Sequence, residues 1–137
     1  MSQAKSKFQF NRFNVTESHY KFNEEGPYNL SVALNSSGIV FSELNQFQLN
    51  LDMLVEDEDK KFMCEVKTIS MFDFPEEADI ETMKSGLFTT NAPAIAFPYI
   101  RAYIANLTAQ SGLLNIMLPT LNLSGLGKQL KEAIEVK

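Results

Sequence analysis

The sequence is poor in the residues that carry most covalent and metal chemistry: it has one cysteine, one histidine and no tryptophan among 137 residues. A single cysteine, Cys64, excludes an intrachain disulfide and indicates a reducing compartment. A single histidine, His19, lies in a strand-like segment, where an ordinary surface or core role is commoner than general-base catalysis. Cys64 falls on the apolar phase of a strand, which favours a small buried side chain over a reactive thiol.

Basic charge and long apolar runs are also scarce. The formal net charge is −5, with 12 basic against 17 acidic residues. The lysines and arginines are scattered, whereas binding to nucleic acid requires clustered cations that neutralise phosphates. No apolar run is long enough to cross a bilayer, and the N-terminal segment lacks the apolar core of a signal peptide. We therefore expect a cytoplasmic protein that binds no nucleic acid and does not insert into membranes.

Recognisable enzyme motifs are missing. The chain contains no phosphate-binding G-x-x-x-x-G-K-[ST], no dinucleotide-binding G-x-G-x-x-G and no nucleophile motif G-x-S-x-G. The acidic run Glu56–Asp59 lacks the glycine and the terminal glutamate of a calcium-binding loop, so a solvated hairpin tip is favoured there. The sequence therefore predicts a protein that is not an enzyme and holds no metal or cofactor.

The first half of the chain alternates between apolar and polar residues. Apolar residues recur at every second position in 28–34, 47–55 and 62–66, and the charged run 56–61 separates the last two segments. Such alternation is typical of half-buried strands in an antiparallel sheet. A further strand is expected within Phe8–Phe22, where Phe8-Phe10 and Phe13-Val15 fall on opposite phases and indicate a bulge or a bend. The pattern predicts a four-stranded antiparallel meander.

The second half has helical spacing. Phe97, Ile100, Ile104 and Leu107 predict a long helix that ends at Ser111-Gly112. A short terminal helix is expected from about Ser124, with an apolar stripe formed by Leu126, Leu130 and Ile134. Strands followed by helices indicate one α+β domain over residues 1–137, with both helices packed on one face of the sheet.

Apolar residues exceed what such a small domain is expected to bury. Eleven phenylalanines and six methionines are present. The apolar residues that fall in predicted loops and connectors are Phe72, Phe74, Ile80, Met83, Leu113, Leu114, Ile116, Met117, Leu118, Leu121 and Leu123. An excess of this size predicts burial between subunits, an apolar groove for another polypeptide, or both.

Two segments resemble a known family. The segment NAPAIAFPYIRAYIANLTAQSGLLNIMLPTLNL, residues Asn91–Leu123, resembles the signature region of the SecB protein-export chaperones, with its Phe-Pro-Tyr-x-Arg step at Phe97–Arg101. The strand FMCEVK, Phe62–Lys67, resembles the family's Phe-Leu-Cys-Glu-Val strand. The spacing between these blocks also agrees, so the resemblance extends from about Phe8 to Leu130.

The resemblance implies a specific fold and assembly. Family members have a four-stranded antiparallel sheet with a long and a short C-terminal helix, and form homotetramers, as dimers of dimers, with the long helices sandwiched between sheets. By analogy, Pro98 would occupy the first turn of a helix that starts near Tyr99. The residues implied to divide between the sheet and a neighbouring subunit are Ile100, Tyr103, Ile104 and Leu107.

The resemblance also implies a function: an ATP-independent holdase that binds unfolded polypeptides, either export precursors or a dedicated client such as an antitoxin. The implied client-binding groove consists of Phe72, Phe74, Ile80, Leu126, Leu130 and Ile134. Docking of the translocase motor SecA would involve Met63 and Glu65, while His19 and Asn23 stand where typical members carry acidic residues. The alternative is a structural or regulatory oligomer that has the fold without general client binding.

Overall fold

The computed structural model describes residues 8–113, 116, 118, 121 and 123–137. The elements are β1 Gln9–Phe22, β2 Leu30–Phe41, β3 Gln46–Asp57, β4 Phe62–Asp73, α1 Ile80–Lys84, a π-helical turn Leu87–Asn91, α2 Ala92–Gln110, α3 Ser124–Glu132 and β5 Ile134–Val136. The strand order is β1-β4-β3-β2-β5, with β5 parallel to β2 and the other pairs antiparallel. Within the described part of the chain, no helix combines the length and hydropathy that a bilayer crossing requires.

The predicted α+β architecture is confirmed, with a long and a short helix on one face of the sheet. The predicted meander holds for β2, β3 and β4 but is wrong for β1, which pairs with β4 and not with β2. In β3 the odd-numbered residues from Phe47 to Asp57 are buried and the even-numbered residues are only half-buried. The buried phase faces the helices because side chains alternate between the two faces of a strand. This helix-covered face is called the inner face below.

Strand β1 contains the predicted irregularity. Its pairing with β4 shifts register twice, between Phe10 and Arg12 and again between Val15 and Glu17. Each shift inserts one extra residue and so reverses the phase of the side chains that follow. As a result, Phe10, Phe13 and Val15 all pair with inner-face residues of β4, although their sequence spacing is not strictly alternating.

The prediction that a new helix starts near Tyr99 is wrong. Helix α2 begins at Ala92, has Pro93 in its first turn and continues through Pro98 as an interior proline. Pro98 has no N–H to donate to the carbonyl of Ala94, and a proline at such a position bends a helix. Both residues lie on the exposed side of α2, where water can satisfy that carbonyl. The helix therefore tolerates the lost bond and is bent, not broken.

The predicted end of the terminal helix is also wrong. Helix α3 stops at Glu132, and Ile134 belongs to the fifth strand, which the meander of four strands did not include. An added Cβ at Gly38 would come within 2.7 Å of the Phe47 ring and within 3.3 Å of Cγ1 of Ile134. The absence of a side chain at Gly38 therefore makes room first for the Phe47 ring and also for Ile134 of β5.

Several apolar residues assigned to loops belong to regular elements. Phe72 lies within β4, while Ile80 and Met83 lie in α1. In the segment between α2 and α3, residues 111–123 (the connector), Leu113 and Leu118 are buried and Ile116, Leu121 and Leu123 are half-buried. Leu114 and Met117 lie outside the described residues. The protomer thus absorbs more of the apolar excess than its sequence pattern suggests.

An aromatic cluster joins the sheet to the π-helical turn. The rings of Phe47 and Phe88 stack with centroids 4.2 Å apart and an interplanar angle of 10°. Phe8 stacks on Phe72 at 4.8 Å, and Phe74 meets Phe88 at 5.5 Å. Phe47, Phe72 and Phe88 are completely buried. The cluster fixes the π-helical turn against the sheet and thereby sets where α2 begins.

A buried carboxylate closes the turn between β3 and β4. Asp57 accepts backbone hydrogen bonds from Asn29 at 2.8 Å, Asp59 at 3.2 Å and Lys61 at 3.1 Å. Desolvation raises the pKa of Asp57, but these N–H donors together outweigh it and hold the pKa below its ordinary value. The side chain therefore ties the start of β2 to the β3–β4 turn in its ionised form.

We expect the substitution Asp57→Asn to destabilise the fold at neutral pH, because an amide cannot replace a carboxylate that accepts three N–H bonds. The pKa of Asp57 is lower in the folded state, so its contribution is present above the unfolded pKa of about 4 and is lost as pH falls through the folded pKa. The free energies of unfolding of wild type and variant, measured in urea, should therefore become equal at low pH. Asp59→Asn, at an exposed position, is the control. A difference in free energy between wild type and Asp57→Asn that stays constant with pH would contradict a stabilising role of the ionised Asp57 side chain.

Candidate functional site: an apolar groove along strand β2

Two adjoining clefts lie along the inner face of β2. The larger, about 820 Å³, is lined by Phe22, Glu25, Gly26, Pro27, Tyr28, Leu30, Ser111, Gly112, Leu113 and Ile116. The smaller, about 310 Å³, is lined by Val32, Leu34, Leu121, Gly125, Leu126 and Gln129. The two clefts follow one another along β2, from Leu30 to Val32 and Leu34, opposite the described residues Leu113, Ile116 and Leu121, and are called the β2 groove below.

The floor of the β2 groove is apolar and only half covered. Leu30, Val32 and Leu34 are half-buried, and Phe22 at one end is 46% exposed. Further along the same face of β2, Val40 is completely buried. The inner face of β2 is therefore covered at its C-terminal end and open at its N-terminal end. Apolar side chains that are only half-buried favour contact with another apolar chain.

Helix α3 provides the cover at the closed end. The side-chain oxygen of Gln129 accepts hydrogen bonds from the backbone N–H of Ser36 at 3.1 Å and from its hydroxyl at 3.2 Å. Gly127 lies so close to the π-helical turn that a Cβ there would be 2.9 Å from the carbonyl oxygen of Thr89. Leu126 and Leu130 point into the core. These contacts fix α3 across β2 and define one wall of the groove.

On the edge of β2 beside the groove, some backbone groups have no partner among the described residues. Ser36 and Gly38 direct their N–H groups to this edge, toward Gln129 and the carbonyl of Ala133 respectively. Because backbone groups alternate along a strand, those of Leu30, Val32 and Leu34 face the same edge. No other described strand pairs with β2 over this stretch. The groove thus combines an apolar floor with free donors and acceptors.

The arginine of the Phe-Pro-Tyr-x-Arg step positions the connector. Arg101 extends from α2 and donates a hydrogen bond from Nη2 to the carbonyl oxygen of Leu118 at 3.1 Å. Gly112, with a φ of +91°, ends the turn after α2 in a conformation that disfavours other residues. The connector that walls the groove is therefore held at both these points.

A separate cleft lies beside α1. It measures about 450 Å³ and is lined by Pro75, Glu77, Ala78, Asp79, Thr82, Met83, Gly86, Leu87 and Asn91. Its floor is apolar and its rim carries two carboxylates. The predicted groove residue Ile80 adjoins this cleft in sequence, but it is not one of the residues that line it.

The six predicted groove residues lie mostly beneath the surface. Phe72 and Leu130 are completely buried, Phe74 and Leu126 are 7% and 8% exposed, and Ile80 and Ile134 are half-buried. Of these, only Leu126 lines the β2 groove. Sequence reasoning missed Leu30, Val32 and Leu34 as groove residues, because an alternating strand has the same pattern whether or not a helix covers it. The client-binding roles of the six residues stay predictions.

The predicted oligomer-interface residues face the protomer's own core. Ile100 and Ile104 are completely buried, and Tyr103 and Leu107 are half-buried against the core cluster. The opposite side of α2 is exposed and carries four alanines and one proline, together with larger polar residues that include Tyr99, Arg101 and Asn106. The alanines and the proline are Ala94, Pro98, Ala102, Ala105 and Ala109. Small side chains allow a close approach of another helix.

Met63 and Glu65 lie on the outer face of β4 and are half-buried. Glu65 pairs across the strands with His19 on β1 and Leu54 on β3. Nearby, Lys67 forms an ion pair with Glu17 at 3.4 Å. The hydrogen bond and charge of Glu17 raise the pKa of Lys67. The surroundings of Glu65 thus carry charges of both signs and are less acidic than a row of carboxylates.

The chemistry of the site is that of non-covalent binding. Within residues 8–113 and the other described positions, no three His, Cys, Asp or Glu side chains converge as they would around a metal. Cys64 is completely buried, and burial raises the pKa of its thiol to about 11, which confirms the prediction of a small core side chain. The β2 groove offers apolar contact and backbone pairing.

Comparison with known sequences gives consistent relatives. The chain is 35% identical over 75 residues to the protein-export protein SecB of Anaplasma marginale, strain Florida, covering 55% of this chain and 42% of the relative. It is 35% identical over 88 residues to SecB of Anaplasma phagocytophilum, covering 62% and 54% respectively. The chain therefore spans about half the length of the curated relatives it matches.

Comparison with solved structures identifies the same fold. The SecB-like chaperone Rv1957 of Mycobacterium tuberculosis, in complex with a ChAD peptide from the HigA1 antitoxin, matches with a TM-score of 0.72 at 15% identity, covering 85% of this chain and 88% of the other. The sequence model of the SecB family, preprotein translocase subunit SecB, matches residues 8–133. This span includes every strand except β5 and all the helices, and the chain therefore belongs to the SecB family.

Proposed function

We propose that the protein is a cytoplasmic, non-enzymatic, ATP-independent holdase that binds non-native polypeptides in the β2 groove. The observation that carries the proposal is the pairing of an apolar floor with an unpaired strand edge at Leu30–Leu34. A polypeptide in extended form could place alternate apolar side chains on the floor while its backbone bonds to the edge. Such recognition depends little on the client's sequence.

The energetics allow weak and reversible contacts. Burying about 400 Å² of apolar area stabilises a complex by about 10 kcal/mol before the costs of ordering both chains are subtracted. A client held this way is withdrawn from folding and aggregation by mass action. Several grooves in one assembly would act on the same chain, so that avidity replaces tight binding at each groove.

The test of the proposed function is aggregation of a refolding client followed by light scattering. At near-stoichiometric ratios the protein should suppress scattering and slow refolding without ATP. An unchanged time course with several clients would contradict a holdase. The alternative, a structural or regulatory oligomer of this fold, predicts normal assembly together with this negative result.

The proposed holdase function is compatible with two kinds of client, an antitoxin or export precursors. The M. tuberculosis relative was solved with an antitoxin peptide, whereas the Anaplasma relatives are protein-export proteins. Recovery of bound polypeptides from the native host would separate the two, with one dominant partner for an antitoxin and many precursors for export.

Export would also require docking of SecA, for which Met63 and Glu65 are the proposed contacts. Glu65→Lys should then abolish SecA binding while leaving client binding intact.

We further propose a homotetramer, a dimer of dimers, in which the exposed face of α2 packs against another subunit. Four alanines on that face, Ala94, Ala102, Ala105 and Ala109, would let two helices come close together.

The prediction is that Ala105→Glu lowers the mass of the assembly, because a long charged side chain both separates the helices and is costly to bury there. Light scattering behind a sizing column measures the mass directly. Gln110→Glu, exposed on the same helix but outside the small-residue face, is the control and should leave the mass unchanged. If the Ala105→Glu variant still has the mass of a tetramer, the subunit interface lies elsewhere.

A further inference from the structure

One edge of β2 is shared between the β2 groove and the chain's own last strand. Strand β5 pairs with Gly38–Val40, and its neighbours extend the ladder on both sides. The Gly38 amide donates to Ala133 at 3.2 Å, the Lys137 amide donates to Val40 at 2.8 Å, and the Ser42 amide donates to Lys137 at 3.0 Å. The C-terminal half of the edge is thus filled, while the half beside the groove is open.

Strand β5 is held by few contacts. It has three residues and pairs with one strand only. The side chains of Glu135 and Val136 are exposed, Val136 by 47%, and only Ile134 is partly buried, over Gly38. Short elements with little buried apolar area and solvent-accessible hydrogen bonds open at a lower free energy than the core does.

Helix α3 does not depend on β5 for its position. Its hydrogen bonds to Ser36 come from Gln129, and Leu130 is completely buried. The two elements meet at Ala133, which lies outside the helical geometry with φ −110° and ψ 18°. A change of backbone angles at Ala133 would therefore release β5 while α3 stays in place.

Strand β5 is held by its backbone bonds to β2 and by Ile134, which packs against the core cluster. Exposing the part of Ile134 that is buried would be unfavourable, so β5 stays docked when nothing replaces it. An extended client segment that runs past Leu34 along the same edge would take the Ser36 N–H from Gln129 and then supply the hydrogen bonds that β5 supplies.

We propose that β5 is a displaceable strand that occupies the C-terminal half of the client-binding edge until an extended client segment takes its place. This inference rests on the proposed holdase function and concerns the control of the same groove. With β5 docked, the free edge spans about five residues, or about 17 Å. With β5 released, and with the Ser36 N–H transferred from the Gln129 side chain to the client, the edge spans about thirteen residues, or about 43 Å. The length of the free strand edge would then adjust to the length of the client segment.

The test locks β5 in place with a disulfide. Ile39 and Glu135 are paired across β2 and β5, and both lie on the outer face, away from the groove. Neighbouring strands are close enough for the two cysteines of the variant Ile39→Cys/Glu135→Cys to form a disulfide. Cys64 is buried and does not compete with them for oxidation. Oxidised and reduced samples of one protein are then compared by fluorescence titration with labelled peptides of alternating apolar and polar residues, about five and about thirteen residues long.

The long peptide should bind about tenfold more tightly to the reduced form, and the short peptide should bind both forms equally. Equal affinity of the long peptide for the two forms would overturn the inference and leave the holdase proposal standing. If wild type and both forms bind neither peptide, the proposed function fails and the inference fails with it.

Hydrogen exchange provides a readout that does not depend on the disulfide. When the long peptide binds wild-type protein, the Lys137 amide should lose protection because β5 has left, while the Ser42 amide should stay protected by the peptide. Continued protection of Lys137 in the complex would contradict displacement. Ile134→Ser, which weakens the anchor over Gly38, should raise the affinity for the long peptide in the same assay.

Discussion

Leu34→Asp is expected to weaken client binding about tenfold or more while leaving the fold intact. Leu34 is half-buried on the floor of the β2 groove, so an aspartate there retains access to water in the free protein. In the complex the carboxylate would be covered by the client, and the apolar contact would be lost. Burying a leucine side chain is worth about 1.5–3 kcal/mol, which corresponds to about 10–100-fold in affinity.

The neighbouring residue supplies the control. Ala33 is exposed and its side chain lies on the opposite face of the same strand, so Ala33→Asp adds the same charge one residue away without entering the groove. Client binding is measured by suppression of scattering and by titration with a labelled unfolded protein. If both variants bind like wild type, the β2 groove is not the client site; if both lose binding equally, overall charge is responsible.

Phe88→Ala is expected to cause the largest loss of stability, about 3–5 kcal/mol, because it empties the centre of the aromatic cluster. Phe88 is completely buried and its ring contacts those of Phe47, Phe74 and Phe8. It also joins the π-helical turn to the sheet, so the cavity would loosen the start of α2. Equilibrium unfolding in urea gives the free energy directly.

Leu44→Ala serves as the comparison for Phe88→Ala. Leu44 is 66% exposed in the turn between β2 and β3, and its truncation should cost less than about 0.5 kcal/mol. A loss below about 1 kcal/mol for Phe88→Ala would mean that the ring is not packed as described, since an emptied aromatic site cannot be refilled without rearrangement.

The strands were predictable from sequence because their burial is one-sided. In β3, polar residues such as Gln48, Asn50 and Asp52 alternate with Phe47 and Leu49, and alternation of this kind identifies both the strand and its inner face. The first bulge in β1 was predictable for the same reason, because the inserted residue reverses the apolar phase between Phe10 and Phe13, whereas the second bulge, between Val15 and Glu17, was not predicted. The local apolar pattern was sufficient to predict a strand wherever the helices cover only one face of the sheet.

The course of the helices was less predictable because distant contacts decide it. Pro98 suggests a helix start, but an exposed carbonyl at Ala94 makes an interior proline tolerable, and exposure is not visible in sequence. Ile134 continues the helical spacing of Leu126 and Leu130, yet the gap over Gly38 draws it into the sheet. In the first case solvent exposure decides the outcome, and in the second a residue far away in the chain overrides local periodicity.

The binding surface was the least predictable feature. Leu30 and Val40 occupy the same phase of β2, and only the positions of α3 and β5 leave one open and cover the other. The groove residues implied by the family resemblance are apolar, and four of them, Phe72, Phe74, Leu126 and Leu130, are buried in the core. The outer-face residues Met63 and Glu65, by contrast, lie on the face that strand alternation assigns to them.

Site-specific photocrosslinking tests the central claim most directly. A photoreactive amino acid is placed at Val32, on the floor of the β2 groove, or at Ala33, on the outer face, and each protein is irradiated with an unfolded client. Crosslinks to the client should form from position 32 and be nearly absent from position 33. Equal yields from the two positions, or crosslinking from position 33 alone, would contradict client binding in the β2 groove.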